Sequence, residues 1–289
     1  MSPWAEIGRR ARPWAVLLAL AALVAILTGG GSGSAVANHP PVAAAPPAPT
    51  IKTAAQRRQA RLDRAVGDVL DHSSFVARGG GRKREIALTF DDGPGPYTPK
   101  VLIALNRLDV KATFFVVGRQ EATFHTAMLA AAGRGHVIGE HTENHRRLAA
   151  MPGGEQYAEL VAPIQWLSRY GLPRPQLFRP PYGAYDRATL DQLKRLGLLM
   201  VLWSVDSEDY ERPGAEEIAD GVVAAARPGS IVLMHDGGGD RTQTVAAIPK
   251  IVKRLRAKHY RFVTVPELLR DDPPPAGRRL PQKQRSSEG

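Results

Sequence analysis

The chain has 289 residues, of which 43% are hydrophobic and 23% charged, an ordinary globular usage that excludes collagen-like, wholly disordered and multi-span membrane classes. Its net charge of +11 is unevenly placed: residues 84–270 hold 24 basic and 21 acidic residues, whereas residues 1–83 hold 11 and 4. The excess belongs to the N-terminal flank, which favours a polyanionic surface such as an envelope polymer over a nucleic acid. Cysteine is absent, so disulfides, thiolate nucleophiles and thiolate metal sites are removed, and any metal must be held by histidine and carboxylate.

Residues 1–37 read as an export signal. Arg9, Arg10 and Arg12 precede the 15-residue uncharged run Trp14 to Thr28, and Ala35-Val36-Ala37 supplies small residues for cleavage before Asn38. The run is shorter than the ~18 residues of a spanning helix, and the alternative is an uncleaved N-terminal anchor. Both readings place the rest of the chain outside the cytoplasm, with membrane contact only if the segment is uncleaved.

Residues 38–83 form a Pro/Ala-rich linker and basic segment. Five prolines lie between Pro40 and Thr50, a stiff spacer with little to bury. Arg57, Arg58, Arg61 and Arg64, with Ala60, Val66, Val69 and Leu70, then suggest one short, solvated amphipathic helix before Gly79-Gly80-Gly81. From Glu85 onward, short β-branched or aromatic runs alternate with helical stretches, the signature of repeated βα units around a mostly parallel sheet or barrel. Strands are predicted at Ile86–Phe90, Ala112–Val117, His136–Gly139, Gln176–Phe178, Leu199–Ser204, Ser230–Met234 and Arg261–Val265. Helices are predicted near Pro99–Leu108, Arg119–Ala132, Glu155–Tyr170, Arg187–Leu196, Ala215–Ala226 and Thr242–Ala257. About seven parallel strands are few for an eight-stranded barrel, so residues 84–270 are expected to form a deformed (β/α) barrel with one unit missing. Residues 271–289 are proline-rich and polar, the composition of a disordered tail.

The residues with chemistry gather just past the C-terminal ends of the predicted strands, the face on which such barrels build active sites. After the first strand stands Thr89-Phe90-Asp91-Asp92-Gly93-Pro94. Adjacent carboxylates on an extended segment point in different directions, so one can bind a cation while the other accepts a proton. After the third strand comes His141-Thr142-Glu143-Asn144-His145, two imidazoles at a spacing that shares one face if the segment is helical. With Asp92 they supply two nitrogens and one carboxylate oxygen, a divalent-metal set that suits zinc first, with cobalt or nickel as substitutes. After the fourth is Phe178-Arg179-Pro180-Pro181-Tyr182-Gly183, a guanidinium before a rigid turn able to hold an oxyanion donor. Asp206-Ser207-Glu208-Asp209-Tyr210 and Leu233-Met234-His235-Asp236 follow the fifth and sixth.

These five ordered motifs resemble those of the polysaccharide deacetylases of the NodB homology domain, carbohydrate esterase family 4, over about Arg84 to Leu269. The resemblance implies a deformed (β/α) barrel and metal-dependent removal of acetyl groups from polymeric sugars. It implies Asp91 as catalytic base, Asp92, His141 and His145 as metal ligands, and Arg179 as the residue that orients the base. It implies the Tyr182 backbone N–H as oxyanion donor, His235 as general acid, Asp206 as the acid that supports that histidine, and Leu233 as a wall of the acetyl pocket. Tyr210 stands where the family commonly has tryptophan, which bears on groove shape and substrate preference.

The expectation is a secreted or cell-wall-associated hydrolase of N-acetyl groups in peptidoglycan or chitooligosaccharide, with an anionic wall contacted by the basic N-terminal segment and no nucleic-acid partner. Two alternatives stay open: an acetylxylan O-acetyl esterase using the same site, and a non-catalytic wall-binding domain.

Overall fold

The computed structural model describes residues 53–277. The expected export signal, the proline-rich spacer before Thr53 and residues 278–289 of the expected tail lie outside the described residues. None of the described helices is long and apolar enough to cross a membrane.

Among the described residues, nine strands and eight α-helices follow one another in chain order. The strands are β1 (Phe75–Val76), β2 (Glu85–Gly93), β3 (Thr113–Val116), β4 (Val137–Glu140), β5 (Leu177–Phe178), β6 (Leu199–Val201), β7 (Val205–Asp206), β8 (Ser230–His235) and β9 (Arg261–Phe262). The helices are α1 (Ala54–Leu70), α2 (Thr98–Arg107), α3 (Gly118–Gly133), α4 (Gly153–Arg169), α5 (Arg187–Leu196), α6 (Ala215–Ala225), α7 (Thr242–Ala257) and α8 (Val265–Asp271). All strand pairings are parallel, in the order β1-β6-β5-β4-β3-β2-β8-β7, with β9 on the start of β2. Residues 199–206 bridge the gap in this order: β6 lies beside β5, the chain bends, and β7 lies beside β8. The Ser204 N–H donates to Ile231 O at the bend. The result is the deformed barrel expected from the strand count.

Alternation along the strands separates two apolar layers. Ile86, Leu88 and Phe90 of β2 and Phe114 and Val116 of β3 face outward under α2, α3, α6 and α7, and Phe90 stacks on Phe114 at 5.2 Å. Ala87, Phe115, Leu177, Val201, Ile231 and Leu233 face the interior. That interior is closed at its N-terminal end by α8 and α1, which contribute Leu268, Leu269, Val66 and Val69. A parallel sheet covered on both faces needs this near-continuous apolar usage.

The expected boundary at residue 84 is corrected here. Residues 53–83 are part of the fold: Leu62, Ala65, Val66 and Val69 of α1 are buried, as are Phe75 and Val76 of β1, which extends the sheet beside β6. Thr53 and Gln56 form a capping box at the start of α1, and Arg58 pairs with Glu267 of α8 at 2.7 Å. At the other boundary Asp272 is fully buried, and its carboxylate accepts the N–H groups of Arg82 and Lys83 at 2.7 and 2.9 Å. Both expected edges of the domain therefore move outward.

A chain beginning at Arg84 is expected to lose cooperative thermal unfolding, and Leu62→Ala in the full chain to cost about 2–5 kcal/mol in urea denaturation. Native-like melting of both would return residues 54–83 to the role of a linker.

Candidate active site

Register brings the first two groups together. β2 and β8 pair over six residues, ending with Asp91 opposite His235. Paired positions on neighbouring strands project to the same side, so both side chains enter the C-terminal mouth of the barrel. Asp92, the next residue, takes φ 69° and turns the other way. Gly93 and Gly238 make the turn feasible: a Cβ on Gly93 would meet the Asp236 carboxylate at 2.5 Å, and one on Gly238 would meet Asp92 Oδ2 at 2.5 Å. Asp236 is buried, and its Oδ2 accepts the Thr98 hydroxyl at 2.5 Å, tying the turn to the first residue of α2. Burial pushes its carboxyl up to about 7, against the Thr98 hydrogen bond.

The two imidazoles meet Asp92 without a helix. His141 to His145 is a loop, with Thr142 at φ 63° and His145 at φ 57°, so helical spacing is not what aligns the rings. The loop is held by carboxylates: Glu140 Oε1 accepts the Thr142 N–H at 2.5 Å, and Glu159 accepts the Asn144 N–H and amide at 2.8 and 2.9 Å. The Thr142 hydroxyl accepts the His145 N–H at 3.0 Å. Asp92 Oδ1 then lies 3.5 Å from His141 Nε2 and 3.0 Å from His145 Nε2. Burial alone would raise the Asp92 carboxyl, but the two imidazoles hold it well below its ordinary value.

These three residues are the cluster among the described residues able to hold a metal ion. The donor set fits one. His141 Nδ1 is 2.6 Å from the Arg179 carbonyl and donates its proton there, which leaves Nε2 as a lone pair facing Asp92. Asp92 Oδ1 is buried without a hydrogen-bond donor, the state of an oxygen awaiting a cation.

Arg179 is wholly buried. Its Nη1 donates to Asp91 Oδ1 at 2.8 Å and to the Thr89 hydroxyl at 2.7 Å, and its Nε and Nη2 donate to the carbonyls of Val201 and Leu202. Phe115 lies against the guanidinium at 4.2 Å. Burial lowers the guanidinium's pKa, and Asp91 opposes the shift. Asp91 is therefore fixed on one oxygen while Oδ2 faces the cluster, 3.8 Å from His141 Nε2.

The acid beside His235 is Asp209, a correction to the expectation of Asp206. His235 Nδ1 is 2.7 Å from Asp209 Oδ1, and Asp209 Oδ2 accepts the His235 N–H at 2.9 Å and the Thr244 hydroxyl at 2.7 Å. Asp206 lies on β7 opposite Leu233, and its Oδ1 accepts the Glu208 N–H at 3.0 Å. Glu208 at φ 53° turns the chain there, so the second acid of the motif, not the first, reaches the ring. Burial would lower the His235 pKa, but Asp209, with help from Asp92 and Asp91, raises it to about 10. Burial pushes Asp206 up, whereas His235 holds Asp209 below its ordinary value against the effect of burial.

Asp91, His141, His145 and His235 line one cavity of about 20 Å³, room for a group the size of a water or a methyl. Its apolar walls are Leu233 and Trp203. Tyr182, at φ 60°, places its ring 4.8 Å from that of His145, and Tyr210 stands edge-on to His235 at 5.6 Å. Thr89, Thr244 and Trp203 escaped sequence reasoning. A threonine two residues before the first aspartate, or in the first turn of α7, carries no signal of its own.

Comparison with known proteins agrees with this geometry. Residues 78–201 match the family described as polysaccharide deacetylase. A peptidoglycan-N-acetylglucosamine deacetylase of Bacillus cereus is 42% identical over 188 residues, covering 64% of this chain and 88% of that protein. The chain belongs to the polysaccharide deacetylase family, carbohydrate esterase family 4. A chitooligosaccharide deacetylase of a Bradyrhizobium species is 35% identical over 199 residues, 64% of this chain and 90% of that one. The solved structure of a peptidoglycan N-acetylglucosamine deacetylase in complex with an N-oxidanyl-benzamide matches with a TM-score of 0.66 and 35% identity, over 70% of this chain and 95% of that one. Membership carries the reaction class: a hydrolase of N-acetyl amide bonds.

For this deacetylase the two candidate supporting acids separate by pH profile. If protonated His235 is the active form, activity falls as pH rises through its pKa. Asp209→Asn removes the charge that raises that pKa, so the basic limb is expected to move about 1–3 pH units toward acid, with a much smaller move in Asp206→Asn. A larger shift in Asp206→Asn would restore Asp206 to the supporting role.

Proposed function

We propose that this enzyme is an exported, metal-dependent deacetylase that hydrolyses N-acetyl groups of a cell-wall or chitin-type polysaccharide, peptidoglycan or chitooligosaccharide. The observation that carries the reading is the placement of Asp91 opposite His235 around the Asp92/His141/His145 cluster, at one methyl-sized cavity. Export rests on the charge and hydropathy of residues 1–37. Retention on an anionic wall rests on the basic N-terminal segment, where Arg57, Arg61 and Arg64 stand exposed at i, i+4 and i+7 of α1.

Asp92, His141 and His145 would hold a divalent cation, zinc for preference, which would supply Lewis acidity for the acetyl carbonyl and the attacking water. Asp91 Oδ2 accepts the proton of that water, and Arg179 on Oδ1 keeps the carboxylate pointed. Negative charge then develops on the former carbonyl oxygen, and the Tyr182 backbone N–H is assigned to receive it. His235, kept protonated by Asp209, gives its proton to the sugar nitrogen as the C–N bond breaks. Free acetate and a free amine result. Leu233 and Trp203 accept the acetyl methyl, a volume that admits acetyl and excludes longer acyl groups.

The test is incubation of the zinc-loaded protein with N-acetylated chitooligosaccharides, peptidoglycan fragments and acetylxylan. Equal yields of acetate and amine are expected from the first two, with loss on chelation and recovery with zinc. Acetate from acetylxylan alone, without amine, would make the enzyme an O-acetyl esterase. No acetate from any substrate would leave a binding domain.

A further inference from the structure

We propose that Arg241 is a positioning residue for the metal site: it clamps the triglycine loop that holds the Asp92 carboxylate with Oδ1 toward the two imidazoles. The inference rests on the metal-binding reading of Asp92, His141 and His145. Arg241 immediately precedes α7 and is buried, although no carboxylate among the described residues pairs with it. Its donors reach back along the chain instead. Nε donates to the Gly237 carbonyl at 2.7 Å, and Nη2 donates to the Gly238 carbonyl at 3.2 Å. A planar guanidinium fork fixed on two successive carbonyls sets the direction of both peptide groups.

The loop held in this way is the one that lies on Asp92. The Asp236 and Gly237 N–H groups donate to the Asp91 carbonyl at 3.1 and 3.4 Å, which brings the chain back over the end of β2. A Cβ on Gly237 would meet the Asp92 carbonyl oxygen at 2.1 Å, so Gly237 rests directly on the Asp92 backbone. Gly238, at φ 72°, does the same to the side chain: a Cβ there would meet Asp92 Oδ2 at 2.5 Å and Arg241 Nη2 at 3.3 Å. Carboxylate and guanidinium therefore lie on one side of Gly238. With Oδ2 against the loop, Asp92 presents Oδ1 to the imidazoles, 3.5 Å from His141 Nε2 and 3.0 Å from His145 Nε2.

Glycine cannot keep this arrangement unaided. Three successive glycines carry the widest backbone freedom of any tripeptide. A metal ligand needs a fixed carboxylate, and groups that orient a ligand from behind are worth about 10–100-fold in metal affinity. Arg241 supplies that constraint from a rigid mount. Its own carbonyl accepts the Val245 N–H in the first turn of α7, and Ala247, Ile248 and Ile251 seat that helix in the outer apolar layer.

The experiment measures the zinc dissociation constant by competition with a chromogenic chelator, the visible absorption of the cobalt-loaded protein, and the melting temperature of the metal-free protein. The full chain is compared with Arg241→Ala, Arg241→Lys, Gly238→Ala and, as a control on the same helix, Arg254→Ala, which loses surface pairs with Glu216 and Asp220. Arg241→Ala is expected to bind zinc about 10–100-fold more weakly and to change the cobalt band, with part of the affinity kept in Arg241→Lys. Gly238→Ala should weaken zinc with Arg241 intact, and Arg254→Ala should leave the zinc constant unchanged. In an Asp92→Ala background, Arg241→Ala should cost no further zinc affinity, because its effect passes through that carboxylate. Wild-type zinc affinity in folded Arg241→Ala, with only the melting temperature lowered, overturns the proposal, as does a loss that persists undiminished without Asp92. Should Arg241→Ala fail to fold, wild-type zinc affinity in both Arg241→Lys and Gly238→Ala overturns it. Zinc binding by Asp92→Ala as tight as that of the wild type would refute the metal-site reading itself, and the proposal with it.

Discussion

A single buried guanidinium holds the site in place. Taking Arg179 out of water costs several kcal/mol unless its donors are met, and here they are met by Asp91, Thr89 and the carbonyls of Val201 and Leu202, from β2, β6 and the residue after β6. The same residue's carbonyl accepts the His141 Nδ1 proton and so sets the tautomer of a metal-ligand candidate. One residue thereby orders a proton acceptor and a metal donor at once. Substitutions at Arg179 would strand a buried carboxylate and loosen His141 together.

Two carboxylate pairs divide the chemistry along the β2–β8 seam. On one strand Asp91 is held by a cation, and on the other His235 is held by an anion, Asp209. The partners have opposite signs: Arg179 sets a positive charge against the acid on β2, and Asp209 favours the protonated imidazole on β8. Each of the two groups that face each other across the ladder is thereby held by a partner of opposite charge. The buried glutamates behind the histidine loop extend the arrangement outward, since Glu140 Oε1 and Glu159 Oε2 accept the loop's own N–H groups.

The sequence made the barrel legible because apolar alternation and turn residues are local signals. All seven expected strands have counterparts, and the expected helices at 187–196 and 242–257 match α5 and α7 end to end. The candidate site was legible in composition: Asp91, Asp92, His141, His145, Arg179 and His235 do gather at one mouth. What stayed hidden depends on chain direction over long range. Asp206 and Asp209 are chemically alike, and only the left-handed turn at Glu208 decides which reaches His235. The periodicity of α1 announces a helix but not its partner, because α8 arrives some two hundred residues later. The histidine pair was legible as a pair and not as a loop, since the positive φ at Thr142 and His145 goes with hydrogen bonds to Glu140 at the end of β4 and to Glu159 on α4.

The central claim is that neighbouring Asp91 and Asp92 do different work because the β2–β8 pairing ends at Asp91 and the chain turns at Asp92. The most direct measurement is zinc content per chain beside acetate release for folded Asp91→Asn and Asp92→Asn. The account expects Asp91→Asn to keep near-stoichiometric zinc while losing about 10²–10⁴-fold in rate, and Asp92→Asn to lose zinc and regain part of its activity when zinc is in excess. An Asp91→Asn protein emptied of zinc beside an Asp92→Asn protein that retains it would contradict the account at its centre.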